Sequence, residues 1–136
     1  MKRFRTLLST LAVAAMSLTG LAVAGAPASA ATSCYGGAIN LNYKLQSGYR
    51  EYGPYTTSSR CNDINMRLTT DDGRSFLAAC VVFVAHTTKC NNNDSYQIFG
   101  PPWGTVATDV KDGTKFVLRV RPYDSDAKNV NFQLAY

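Results

Sequence analysis

The chain has 136 residues, enough for one compact domain with little left over for a second. Its formal net charge of +5 is unevenly placed: three of the 14 basic residues, Lys2, Arg3 and Arg5, stand in the first five positions, and the first acid is Glu51. Beyond Ala30 the balance is 11 basic against 9 acidic residues, which excludes the dense cationic footprint of a nucleic-acid-binding domain.

Residues 1–30 read as a secretory signal. A basic start, Met1 to Arg5, leads into an apolar stretch from Leu7 to Ala24 and a small-residue ending, Ala28-Ser29-Ala30, with cleavage expected after Ala30. The longest unbroken apolar run is Leu11 to Met16, far short of the ~20 predominantly apolar residues that a membrane-spanning helix needs. Cys34 stands four positions beyond the cleavage site, so the lipid-anchored alternative has no cysteine where it needs one. The expected product is residues 31–136, one extracellular β domain with no membrane attachment after cleavage.

Cys34, Cys61, Cys80 and Cys90 all lie in that part. An even number of cysteines in an exported chain of this size indicates two disulfides. Four cysteines allow three pairings; Cys34 with Cys61 and Cys80 with Cys90 is favoured, because each then closes a local loop beside an expected strand. No two cysteines stand two to four positions apart and His86 is the single histidine, so zinc ligation is set aside on spacing and no metal or other cofactor is expected.

In chain order, Ile39, Leu41, Tyr43 and Leu45 alternate with Asn40, Asn42 and Lys44, the pattern of a half-buried strand. Gln46 to Arg60, punctuated by Gly48, Gly53 and Pro54, reads as a long loop or an irregular edge hairpin. Ile64, Met66 and Leu68 form the next alternating run, ending at Asp71-Asp72-Gly73, where Asp-Gly signals a hairpin. Phe76 to Ala85 is nearly continuous in apolar residues and should be a central strand covered on both faces. A polar loop, Thr87 to Ser95, precedes short strands near Tyr96 to Phe99 and Thr105 to Asp109. Asp112-Gly113 then opens Lys115 to Arg121, and after the Asp124-Ser125-Asp126 turn Val130, Phe132, Leu134 and Tyr136 mark the last strand. Seven or so short strands predict an all-β fold, a single antiparallel β-sandwich or small barrel.

Catalytic groups are scarce. His86 ends the most apolar strand with no nucleophile motif around it, and a structural or merely exposed imidazole is the simpler reading. Glu51 and eight aspartates are the acids of residues 31–136; most aspartates sit where they stabilise turns, and Asp63 is expected to face outward near Arg60 or Arg67 as a surface ion pair. The oxygen-rich runs Asn91 to Asp94 and Asp124 to Asp126 read as solvated turns, since the second lacks the glycine of a calcium loop and has Lys128 where an oxygen belongs. No catalytic residue is assigned.

Aromatic residues are in surplus. Tyr35, Tyr49, Tyr52, Tyr55 and Trp103 fall at loop-like or glycine-flanked positions. They read either as a binding surface, which tyrosine and tryptophan suit, or as cover for the ends of a small sandwich. If they bind, Arg50 and Arg60 are the polar neighbours, Arg60 offering a fork for carboxylates or carbonyls. The small, uncharged start Ala31 to Gly37, with Tyr35, Gly36 and Gly37, is suited to lie along another protein's sheet edge or enter a cleft.

Through Cys34-Tyr35-Gly36-Gly37, Ser58-Ser59-Arg60-Cys61-Asn62-Asp63-Ile64-Asn65 and Asp112-Gly113-Thr114-Lys115-Phe116, the chain resembles small secreted two-disulfide β proteins of actinomycetes, most of them without an assigned activity. In size, export and cysteine plan it also resembles the small adaptor subunit of secreted antibacterial umbrella toxin particles, which joins a lectin-bearing subunit to a large stalk protein. That resemblance implies a non-catalytic connector whose N-terminal segment, Ala31 to Gly37, enters a partner, the partners being other secreted proteins such as larger toxin subunits. An inhibitor of a secreted hydrolase and a small carbohydrate-binding module are the alternatives carried forward.

Overall fold

The computed structural model describes residues 32–124, 127 and 129–136. The expected signal segment, residues 1–30, together with Ala31 and most of the Asp124-Ser125-Asp126 turn, lies outside the described residues. Eight strands are found among the described residues: β1 Ile39–Lys44, β2 Arg50–Thr56, β3 Ile64–Leu68, β4 Leu77–Val82, β5 Gln97–Phe99, β6 Gly104–Ala107, β7 Lys115–Pro122 and β8 Asn129–Ala135. They form two four-stranded antiparallel sheets, with orders β1-β8-β3-β6 and β2-β7-β4-β5. This is the interleaved strand order of a jelly-roll sandwich, in accord with the all-β expectation.

The alternating residues of each strand supply the core. Tyr43 from β1, Ile64, Met66 and Leu68 from β3, Phe116, Leu118 and Val120 from β7, and Val130, Phe132 and Leu134 from β8 are almost completely buried in one cluster. β4 is buried at every position, as expected for a central strand, although it ends at Val82 and not at Ala85. Outward Ala78 and Cys80 lie opposite Arg121 and Arg119 of β7, whose long stems cover small neighbours. Where β5 stops, the Asn91 side chain closes the gap: Val81 N–H donates to its Oδ1 at 2.9 Å, and its Nδ2 donates to the Val106 carbonyl at 2.6 Å.

Two local expectations are corrected. Asp72-Gly73 and Asp112-Gly113 do turn the chain, with Gly73 and Gly113 at φ +67° and +77°, but neither makes a hairpin. Each carries the chain from one sheet to the other, β3 to β4 and β6 to β7, because turn chemistry is blind to which strand will pair. The Gln46 to Arg60 segment is not simply loop: it contains β2, an edge strand on β7 whose register shifts between Tyr52 and Tyr55. Asn91–Asp94, within the expected polar loop, forms a single tight turn with Asn92, Asn93 and Asp94 at positive φ.

Both disulfides join as favoured, Cys34–Cys61 with Cα atoms 4.9 Å apart and Cys80–Cys90 with 5.5 Å.

Candidate functional site

The start of the described chain is tied across the outer face of the β1-β8-β3-β6 sheet. Cys34 binds it to Cys61, and a 3₁₀ turn follows at Tyr35–Gly37. Ser33 Oγ accepts from Gly36 N–H at 3.1 Å. Gly37 lies so close to Arg60 that a Cβ there would come within 2.5 Å of the guanidinium and displace it.

This turn presents Tyr35, half exposed, with its ring 4.5 Å from that of Trp103, centroid to centroid, and tilted by 30°. The Arg67 guanidinium carbon lies 5.0 Å over the Trp103 ring. Arg67 Nε is fixed in turn by Gln133 Oε1 at 2.8 Å, and Gln133 Nε2 donates to Asn40 Oδ1 at 2.9 Å. Tyr35, Trp103 and Arg67 therefore form one stack, held from behind by a disulfide and from the side by a row of hydrogen bonds. Stacked aromatic and arginine groups on a rigid base have the composition that dominates binding energy in protein interfaces.

The remaining expected binding residues lie elsewhere. Tyr49 is half exposed beyond the opposite sheet, under the Arg119 guanidinium at 4.7 Å; Arg119 also pairs with Glu51 at 2.7 Å and donates to the Thr88 carbonyl at 2.9 Å. Arg50 lies over the Tyr52 ring at 5.5 Å. Tyr52 and Tyr55 are strand residues packed against the core, not loop residues. Tyr52 meets Phe132 edge to face at 5.2 Å, and its hydroxyl donates to the Asn42 carbonyl at 2.9 Å; burial pushes its pKa up to about 12. Tyr55 stacks on Tyr136 at 5.1 Å and contacts Phe116, and burial, with Tyr136 beside it, raises its pKa as well. Arg60 turns inward: its Nη2 donates to the Tyr136 carbonyl at 3.0 Å. The set thus divides among several places, with only Tyr35 and Trp103 in direct contact in the stack, and Arg67 is the member that single-strand reasoning passes over.

Asp63 precedes β3 and does not make the expected ion pair. Its Oδ1 accepts the Asp109 backbone N–H at 3.0 Å, while Arg60 and Arg67 are committed as described. His86 is exposed in the turn after β4. Among the described residues no cluster of three or more His, Cys, Asp or Glu side chains is arranged to hold a metal, and no helix is long and apolar enough to cross a membrane.

Compared with protein-family models, with curated proteins and with solved structures, the chain matches none of them.

Proposed function

We propose that this is a non-catalytic, secreted protein-binding adaptor, acting outside the cell after its signal segment is removed. The observation that carries the reading is the Tyr35–Trp103–Arg67 stack on a disulfide-tied turn. Holding these side chains in advance lowers the ordering cost of association, and aromatic and arginine anchors of this kind commonly cost ~2 kcal/mol or more of binding when truncated. The resemblance to the adaptor subunit of umbrella toxin particles supports the same reading, with the Ala31 to Gly37 segment facing the partner and a larger toxin subunit as that partner.

The aspartates with described contacts are mainly spent on shape. Asp72 and Asp94 accept backbone N–H groups in their own turns, and Asp63 accepts that of Asp109, 46 positions away, which supports a connecting role over a catalytic one. The test is co-immunoprecipitation from culture medium, comparing the native protein with Tyr35→Ala and Trp103→Ala, both of which keep the Cys34–Cys61 bond. A larger secreted protein should be recovered with the native chain and lost with either variant; recovery undiminished by both substitutions overturns the proposal.

A further inference from the structure

The two outer sheet faces differ in their balance of charged and amide side chains. On the β2-β7-β4-β5 sheet, Glu51, Lys115, Arg119 and Arg121 take outward positions, the usual dress of a solvated face. On the other sheet, β1 and β8 place Asn40, Asn42, Asn129, Asn131 and Gln133 outward, with charged Lys44 at the end of β1 opposite Asn129 and Arg67 of β3 opposite Gln133. Asparagine is disfavoured in strands, so four of them on two neighbouring strands are poorly explained by sheet stability or solubility.

These amides are also organised. Asn42 Nδ2 donates to Asn129 Oδ1 at 2.9 Å and to Asn131 Oδ1 at 2.8 Å, which orients all three. Gln133 Nε2 fixes Asn40 through its Oδ1. Each amide carries two N–H donors and a carbonyl acceptor, so this pattern leaves the Asn42 Oδ1 and the Nδ2 groups of Asn40 and Asn131 for another partner. Between them lies an open groove of about 420 Å³, walled by Asn40, Asn42, Asn131 and Thr69 and floored by the backbone at Leu41 and Phe132, whose side chains face the core. That volume falls within the roughly 300–1,000 Å³ of ligand clefts. No charged side chain lines it.

We propose that this groove binds a neutral glycan. Fixed amides offering both donors and acceptors match the vicinal hydroxyls of a sugar, each of which donates and accepts. An uncharged wall is complementary to an uncharged ligand and penalises an anionic or cationic one, whose desolvation it does not repay. The groove adjoins the Tyr35–Trp103–Arg67 stack through Gln133, which bridges Arg67 and Asn40, but the proposal does not depend on the adaptor reading.

The test is titration of isotope-labelled protein with dextran, laminarin, glucomannan and a chitin hexamer, following the side-chain NH₂ resonances of Asn40, Asn42 and Asn131. At least one of these neutral glycans should shift those resonances in a saturable manner. Asn131→Thr, which removes the amide but favours a strand, and Asn42→Ser should each weaken binding at least tenfold; Arg121→Ala on the opposite sheet should bind like the native protein. Absence of saturable shifts with all four glycans overturns the proposal, as does undiminished affinity in both variants or binding confined to an anionic polysaccharide such as hyaluronate. If no glycan binds and Asn131→Thr instead abolishes recovery of a protein partner, the groove belongs to a protein contact and the glycan proposal falls.

Discussion

Arg60 donates from Nη2 to the Tyr136 carbonyl at 3.0 Å, joining residues 76 positions apart, and its guanidinium packs against Gly37. One side chain thus links the 3₁₀ turn at Tyr35–Gly37 to the residue that follows β8. Hydrogen bonds to charged groups contribute about 1.5–3 kcal/mol, but Arg60 Nε is buried without a partner, which offsets part of that gain. Arg60→Ala should therefore lower unfolding free energy by about 1–2 kcal/mol. Gly37→Ala should cost less in the Arg60→Ala background than alone, because its added Cβ then meets no guanidinium. Urea unfolding of the four members of this cycle checks the coupling; strict additivity would contradict it.

The two disulfides should separate in their effects. Loop-closure reasoning for spacings of 27 and 10 residues gives about 3.5 kcal/mol for Cys34–Cys61 and about 2.7 kcal/mol for Cys80–Cys90. Replacing Cys34 and Cys61 by serine should both destabilise the domain and loosen Tyr35 from Trp103. Replacing Cys80 and Cys90 should destabilise it while leaving that contact intact. Urea unfolding combined with Trp103 fluorescence distinguishes the pairs, and equal fluorescence changes would count against the assignment.

Asp72 braces the crossing from β3 to β4 by accepting from Arg74 and Ser75. Backbone N–H donation from Ser75, then the Ser75 hydroxyl and the Arg74 N–H, lower its pKa from 3.8 to about 2. A carboxyl depressed on folding contributes stability above its unfolded pKa and loses it as pH falls through the folded value. The Asp72 contribution should therefore be complete above about pH 4 and fade towards pH 2. Carbon-detected titration of the Asp72 carboxyl should give a midpoint near 2, and Asp72→Asn should remove this part of the acid dependence.

Tyr52 predicts the opposite limb. Its neutral form is favoured by burial, and its pKa is raised from 10.0 to about 12. Above pH 10 the unfolded chain gives up this proton before the folded one does, so stability falls as pH rises from 10 towards 12. Tyr52→Phe should remove that contribution and, through loss of the hydrogen bond to the Asn42 carbonyl, cost about 0.5–1.5 kcal/mol at neutral pH. Ultraviolet titration for a late-ionising tyrosine, absent from the variant, is the check.

Strand identity was legible wherever alternation was unbroken. Ile39 to Lys44 and Lys115 to Arg121 announce β1 and β7, and their inward residues are core residues. Tyr52 and Tyr55 were not legible, because residues three apart face opposite sides of a regular strand. The register shift between them turns both inward, and no local rule announces it beyond Gly53 and Pro54. The role of Asp72-Gly73 and Asp112-Gly113 was hidden for a related reason: a reversal of direction is encoded locally, whereas sheet membership depends on partners far along the chain. The stack was half visible. Tyr35 and Trp103 stand out by residue type, but Arg67 joins them only when β3 and β6 pair, and the amide groove exists only when β8 returns beside β1.

The adaptor reading is tested most directly by placing photoreactive benzoylphenylalanine at Thr32, an exposed position beside the Cys34 turn. Illumination in the native culture medium should yield a discrete adduct with a larger secreted protein, and adding Trp103→Ala should abolish it. An adduct that survives Trp103→Ala unchanged, or none at all from Thr32, would contradict the claim that this stack holds a partner.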